Sequence, residues 1–277
     1  MMLSRLYLVG FVFIMLSLAM IVRLFYLQMV EKDFLQYEGD ARTIRMERIN
    51  AHRGIIQDSY GKVLAVSTPV LSLWVNPGEV LGAGESLEPL TNYLGVSNQE
   101  FLSRMTEAQD IKKFLYLRRH LPPSVARQIL DLNISGVYAK REYHRFYPAG
   151  EIASHLVGIT DVDDKGQEGI ELAFERWLSG SPGRKKVLIN RYGEIVRDIK
   201  PVDEAKPGRN LTLGIDLRLQ YLAYRELKSA VTRYQAESGS IVILDVETGR
   251  VLAMVNQPSY NPNNRKSLDM KSLRNRA

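Results

Sequence analysis

The sequence predicts an α+β protein carried on a single N-terminal transmembrane helix, with a mixed α/β body and the beginning of a second α+β module. Three observations predict it. Leu6 to Val22 is a run of 17 residues without a charge. Beyond it, hairpin signals alternate with helical patterns as far as Ile199. A polar segment with two prolines, Pro201 to Arg209, then precedes one long amphipathic pattern and two apolar runs around Glu247-Thr248-Gly249.

Composition narrows the class. The chain has 277 residues, 45% hydrophobic and 25% charged, which excludes a disordered or fibrous polymer. It holds no cysteine, which excludes disulfides, thiolate metal sites and a cysteine nucleophile. That composition is compatible with an oxidising compartment. The net charge of +6 suits an anionic membrane surface or an anionic polymer and is too weak to indicate nucleic acid.

Each element follows from its residues. As a helix, the uncharged run spans roughly 25 Å. Arg23 interrupts it, and apolar residues continue to Val30. An arginine near the end of a span can snorkel to the headgroups, so 6–30 reads as an uncleaved signal-anchor behind a cytoplasmic tail, 1–5. A cleaved signal peptide is the alternative, with Ser17-Leu18-Ala19 as its site. Residues 31–50 read as a helical stalk running into an extended segment, in which Arg42, Arg45 and Arg48 form a solvated, lipid-facing basic run.

The body is expected over 51–200. Two apolar runs flank Asp58-Ser59-Tyr60-Gly61, a hairpin signal. Val70 to Val75 reads as a further strand, closed by Asn76-Pro77-Gly78. Ser86 to Leu132 reads as mostly helical, with Pro122-Pro123 starting a short helix. Val137 to Phe146 reads as an exposed strand. Ile152 to Ile159 and Glu168 to Leu178 read as helices, the second burying Ile170, Phe174, Trp177 and Leu178 on one face. Lys185 to Ile199 reads as a hairpin turning at Arg191-Tyr192-Gly193-Glu194.

After a linker at 201–209 comes the second module, 210–277. Leu211 to Ile215 is a short strand, and Asp216 caps a helix reaching Tyr234. Leu219, Leu222, Ala223, Leu227, Ala230 and Val231 give that helix a buried face. Gly239 to Val246 reads as a buried strand paired with Val251 to Asn256. A hairpin with one helix does not bury both its faces, so this module reads as cut short.

Together several segments resemble the class B penicillin-binding proteins, the peptidoglycan D,D-transpeptidases. They are RLFYLQ (23–28), RGIIQDSYGKVLA (53–65), RFYPAGEIASHLVG (145–158), GIELAFERWLSG (169–180), LTLGIDLRLQ (211–220), the long run 238–263 and NRA (275–277). They stand in the family's order along nearly the whole chain. The wording is closest to the septal, FtsI-type branch, with the elongation branch as alternative. The resemblance implies a cytoplasmic tail, one membrane span, an elongated non-catalytic pedestal and the truncated beginning of a transpeptidase domain of serine β-lactamase-like fold. It implies the inner membrane, a periplasmic body, and cross-linking of stem peptides at the septum. Implied partners are an FtsW-type glycosyltransferase, FtsN and the FtsQLB complex, with stem peptide and β-lactams bound only by the full-length protein. The other reading is a truncated, non-catalytic division scaffold. Export argues against a nucleic-acid partner.

Family members acylate a serine in a Ser-x-x-Lys motif, completed by Ser-x-Asn and Lys-Thr/Ser-Gly. The family places that serine shortly after the NRA segment, so no catalytic residue is assigned in this chain. Ser59-Tyr60-Gly61-Lys62 matches by letter but reads as a turn, and Ser259-Tyr260-Asn261 sits between Pro258 and Pro262. His52, His120, His144 and His155 are scattered, and Asp161, Asp163 and Asp164 read as a solvated turn, so no metal or cofactor is expected. The residues singled out lie in three pedestal motifs. Arg53 and Gly54 open the first, with Arg53 pairing a pedestal carboxylate or a partner. Arg145, Tyr147, Pro148, Gly150, Glu151 and His155 form the second, either a partner-facing surface by resemblance or a structural turn. Gly166, Gly169 and Glu171 form the third, with Glu171 placed to meet a helix dipole.

Overall fold

The computed structural model describes residues 2–84, 86–109, 114–189, 195–264 and 269–277. In chain order, α1 (Met2–Met29), α2 (Lys32–Thr43) and β1 (Ile44–Ile49) lead into β2 (Ile56–Gln57) and β3 (Val63–Val75). Then come α3 (Pro77–Ala83), α4 (Glu88–Leu94), α5 (Asn98–Ala108), β4 (Leu115–Leu121), α6 (Pro123–Leu130) and β5 (Val137–Phe146). A 3-10 turn (Gly150–Ala153), α7 (Ser154–Val157), α8 (Gly169–Ala173) and α9 (Glu175–Leu178) follow, then β6 (Gly183–Ile189) and β7 (Ile195–Asp203). The chain continues with β8 (Leu211–Thr212), α10 (Leu217–Arg233), β9 (Gly239–Leu244), β10 (Val251–Gln257) and α11 (Met270–Leu273). They fall into two compact units, Met1–Ile49 with Gly183–Glu204, and Asn50–Pro182 with Ala205–Ala277.

In the first unit, Gly10–Met29 of α1 has a mean hydropathy of 2.2 and none of it is buried. A helix so long, apolar and uncovered fits a single-pass membrane anchor. The Arg23 guanidinium lies 5.4 Å from the Tyr26 ring, a cation–π contact near the end of the span. The basic run after α2 is a paired strand: β1 lies antiparallel to β6, with Ile44 opposite Leu188 and Ile49 opposite Gly183. β7 closes the sheet on the other side of β6. The turn expected at Arg191 to Glu194 lies outside the described residues, as does the side chain of Arg42.

The second unit is organised by β3. The two strands expected at its ends are one strand of 13 residues that runs through Pro69. Proline has no N–H for a ladder. Here β4 pairs β3 only from Leu71 onward, so Pro69 has β5 on one side and an open edge on the other. β4 itself falls inside the stretch read as mostly helical. Leu115, Leu117 and Leu121 turn toward the core, a short alternation that neighbouring helical patterns masked. β5 pairs β3 from Val137 opposite Val75 to Phe146 opposite Val66. It is not simply exposed, since Glu142 and Arg145 are buried on it.

Helices α3, α5 and α6 cover one end of β3 around Leu73, Val75, Val80, Phe101, Met105 and Ile129. A second core gathers Ile56, Leu64, Tyr147, Val157 and Leu178. The expected helix 168–178 is two short helices that meet at Phe174, so only Leu178 of its proposed apolar face is fully buried while Phe174 and Trp177 stay exposed. Ile152 to Ile159 is likewise a 3-10 turn and a single helical turn.

α10 packs Ala223 and Leu227 on Ala253 and Val255 of the β9–β10 hairpin. Asp216 caps it as expected, accepting from the Arg218 N–H at 2.9 Å. Its buried face is rotated from the expected one. Leu222 and Ala230 are exposed, and Gln220 is fully buried in their stead. β9 is half-buried rather than buried, with Val242 and Leu244 facing outward. Leu73 is fully buried in the first core, so Leu73→Ala is expected to cost about 2–5 kcal/mol. A thermal melt of the detergent-solubilised chain checks this through a lowered Tm.

Candidate functional site

Three motifs far apart in the sequence converge on one carboxylate. Glu171 is fully buried in the first turn of α8. Its Oε2 accepts from Arg53 Nε at 2.7 Å, and its Oε1 accepts from Arg145 Nε at 2.7 Å. Both arginines are 1% exposed, so the two cations and the carboxylate share one dry site. Arg53 also donates to the Glu171 carbonyl and the Asp164 carbonyl, each at 3.0 Å, and pairs with Glu175 at 2.7 Å. Arg145 Nη1 donates to Ser67 Oγ at 3.2 Å. Burial alone would lower the Arg53 pKa, but the Glu175 and Glu171 carboxylates outweigh it and hold the guanidinium charged.

Glycines allow the backbones to close around this site. A Cβ on Gly158 would stand 1.9 Å from the Glu168 carbonyl oxygen, and one on Gly166 would stand 2.1 Å from that of Glu171. Gly169 has φ +59° where the chain turns into α8, against Gly158. Gly54 passes so close to Arg209 that a Cβ would meet its carbonyl at 2.0 Å, and its N–H donates to Leu178 at 2.8 Å. These positions need a hydrogen for a side chain because another backbone lies against them.

Asp164 corrects the reading of 161–164 as a wholly solvated turn. Asp161 does build a turn, accepting from the Asp163 and Lys165 N–H groups at 2.8 and 2.9 Å. Asp163 pairs with Arg119. Asp164, with φ +65°, turns inward toward the arginines. Burial pushes its pKa up to about 6, although Arg53 and Arg145 pull the other way. Its Oδ1 and Arg145 Nη2 are buried without a hydrogen bond. Glu142, on β5, forms a second buried charge site. It accepts from Ser72 Oγ at 2.5 Å, Tyr116 Oη at 2.9 Å and Arg119. These bonds overcome desolvation and hold its pKa below the ordinary glutamate value. The histidines are less scattered than their spacing suggests, with the His120 and His144 rings 4.7 Å apart.

The second motif faces the C-terminal module. Tyr147 is 2% exposed, and its backbone exchanges two bonds with the Asn263 side chain at 3.0 and 2.9 Å. Its hydroxyl accepts from the Thr160 N–H. Pro148 and Gly150 (φ +52°) lead from Tyr147 into the 3-10 turn that carries Glu151. Glu151 accepts from Tyr224 Oη at 2.6 Å and meets Lys228 at 3.4 Å, with the tyrosine bond chiefly lowering its pKa. His155 donates from Nε2 to the Ser272 carbonyl at 2.7 Å and packs edge-on against Tyr260. Desolvation lowers its pKa, so the ring is neutral at pH 7. Gln220 ties the same region to the hairpin, donating to Ile152 and Met254 and accepting from the Met254 N–H.

The first motif does the same from its turn. Asp58 accepts from the Tyr60 and Lys62 N–H groups, which folds Ser59 and Lys62 onto a hairpin, and its other oxygen accepts from Leu217 N at the start of α10. The site is thus a buried ionic centre with polar clamps on the C-terminal module. Among the described residues, no group of three or more His, Asp or Glu is placed to hold a metal ion.

Residues 48–213 match the penicillin-binding protein dimerisation domain, which is more than half of the chain. The chain belongs to the penicillin-binding protein family. Residues 239–277 match the penicillin-binding protein transpeptidase domain. The chain is 42% identical to the peptidoglycan D,D-transpeptidase FtsI of Escherichia coli K12 over 269 residues, 95% of this chain and 45% of that one. It therefore spans about half the length of the curated relatives it matches. Among solved structures, one described as structural coordination of polymerization and crosslinking by a peptidoglycan synthase complex matches with TM-score 0.55 and 27% identity, over 94% of this chain and 47% of that one. The complex between PBP2 and MreC from Helicobacter pylori shares the fold, with TM-score 0.58 and 21% identity over 79% of this chain and 44% of that one.

In this penicillin-binding protein the structure joins Arg53, Arg145 and Glu171 directly, and Gly54, Gly166 and Gly169 line the same site. Tyr147, Glu151 and His155 stand together at the other. Asp164, Glu175, Ser67, Gln220 and Asn263 were missed. Glu175 lies four residues after Glu171, a spacing that marks a shared face in the continuous helix expected over 168–178, although the structure breaks that helix at Phe174. Ser67 and Gln220 have no such signal.

Two outcomes follow. Glu171→Gln leaves two buried guanidinium groups without their shared anion, and a loss of about 3–5 kcal/mol is expected, read as a lowered denaturation midpoint. Asp164 binds a proton more tightly folded than unfolded, so its contribution to stability falls as pH rises from about 4 through about 6. Asp164→Asn, which keeps the shape and tolerates positive φ, is expected to raise Tm above pH 6 and to match the parent near pH 4. Melts across that range check it.

Proposed function

We propose that this chain is the membrane anchor, pedestal and first transpeptidase segment of a septal peptidoglycan D,D-transpeptidase. The observation that carries it is the 42% identity to FtsI along 95% of the chain, across both matched domains. In this reading 51–200 is the pedestal and 210–277 begins the catalytic domain. The protein stands in the inner membrane with its N-terminus in the cytoplasm and its body in the periplasm, at the division septum.

The geometry suggests what the chain's own residues contribute. The pedestal does not touch substrate. It fixes the base of the transpeptidase domain, with Asp58, Glu151, Tyr147 and His155 each holding a different part of the C-terminal module. Acylation by a serine and transfer to a neighbouring stem peptide belong to the full-length enzyme. A rigid base is what such chemistry requires, because small displacements of a reacting group are expensive in rate. Partner docking on the pedestal, by an FtsW-type glycosyltransferase, FtsN or the FtsQLB complex, accords with a solved relative described as coordinating polymerization and crosslinking.

Membranes of the source cell, labelled with fluorescent penicillin and blotted with a pedestal antibody, should give one band positive for both. Depletion of the protein should block division and leave filaments. Rounded cells would assign it to wall elongation, and an antibody band without penicillin label would favour a non-catalytic scaffold.

A further inference from the structure

The two faces of the β1–β6–β7 sheet carry different charge. On one face, Glu47 and Asp198 both pair with Lys185, at 3.1 and 3.0 Å. Arg45, also on that face, donates to the Ala41 carbonyl at 2.9 Å. Both carboxylates of this face are thus held by Lys185. On the opposite face the register sets Ile44 beside Leu188 and Arg197, Met46 beside Lys186 and Lys200, and Arg48 beside Arg184 and Asp203.

That second face holds five cations and one carboxylate, Asp203, which is already paired with Arg184 at 2.6 Å. All five cations are exposed. Arg48 lies directly opposite Arg184, and Lys186 opposite Lys200. Like charges placed so destabilise a sheet. Strand spacing confines the five to a patch of about 10 by 14 Å. With Glu47 and Asp198 on one face, and Arg48, Lys186, Arg197 and Lys200 beside the Arg184–Asp203 pair on the other, the sheet presents a surface complementary to a dense array of anions.

The same unit says where that array is. α1 carries the span, and α2 is the sole connection from it to β1. At 12 residues α2 is about 18 Å long at most. Phe34 and Tyr37, one turn apart on α2, are 63% and 71% exposed, the aromatic pattern of a membrane interface. The sheet is therefore tethered close to the bilayer surface, within reach of headgroup charge. We infer that the Arg48–Arg184–Lys186–Arg197–Lys200 face binds anionic phospholipid headgroups and so orients the sheet on the bilayer. The inference rests on α1 as the anchor and not on the enzyme reading. Each cation so placed changes affinity roughly fivefold at moderate salt.

The chain has no cysteine, so Met46→Cys provides a single labelling position on this face. The full chain, labelled there, is placed in vesicles of phosphatidylcholine alone or with 30% phosphatidylglycerol, each with a headgroup-linked energy-transfer acceptor. Transfer should be higher in the anionic vesicles, fall in high salt, and drop to the phosphatidylcholine level for R48Q/K186Q/R197Q/K200Q. A control that removes four exposed cations elsewhere, R104Q/R127Q/K140Q/R141Q, should keep it. Because the face variant removes like-charge neighbours, its melting temperature should not fall, which separates lost binding from lost folding. Equal transfer in both vesicles, or equal loss in the control, overturns the assignment. Saturation of the face by a soluble acidic peptide without any response to lipid makes the occupant a soluble polyanion and overturns it too. A chain that does not float with either vesicle overturns the anchor and the inference with it.

Discussion

Glu171 is the constraint on which the second unit depends. One buried carboxylate, with an arginine on each oxygen, holds together the entry to β2, the end of β5 and the start of α8. None of those segments could tolerate the burial alone. An isolated guanidinium in a dry core is far costlier than a hydrophobic side chain, and the pair becomes tolerable only when geometry and hydrogen bonds are nearly complete. The completeness here comes from the backbone as much as from side chains. The Glu171 and Asp164 carbonyls and the Glu175 carboxylate take further Arg53 donors, and Gly166 lets its backbone lie against the Glu171 carbonyl. A centre of this kind specifies one arrangement more than it adds stability, because a shifted register would strand a charge.

The polar clamps extend that specification to the C-terminal module. Asp58, Glu151 and Gln220 each bond across sequence separations that no hairpin or helix would supply. They add direction to the apolar packing of Leu211, Leu213 and Leu217 on the second core, which alone would allow sliding.

Much of this was legible in the residues. The uncharged run, the hairpin at Asp58 to Gly61, the helix started by Pro123 and the cap at Asp216 each have a local cause, and each appears where that cause puts it. Arg53 was read with a pedestal carboxylate as one of its two partners, and Glu171 is one. What was not legible is what depends on distant segments. The break at Phe174 follows from packing that spacing does not record. The continuity of β3 through Pro69 depends on which edge β4 leaves open. Asp164 reads like its neighbours Asp161 and Asp163, and only the arginines from two other motifs make it different. Gln220 sits at a position where a helical pattern predicts a polar surface residue, and its burial comes from two carbonyls that α10 meets only when folded.

The parallel pairing of β2 with β8 has a further consequence, in time rather than in space. Ile56 lies beside Leu211, and the bonds that surround this pair join residues 155 positions apart. At a synthesis rate of about 5–20 residues per second, the first motif waits on the order of 10–30 seconds for its partner strand. During that interval β2 offers an open edge, and for the first 118 residues of it Arg53 has no Glu171. The N-terminal part of the second unit is thus emitted early and completed late, behind a helix whose length and composition fit a membrane anchor.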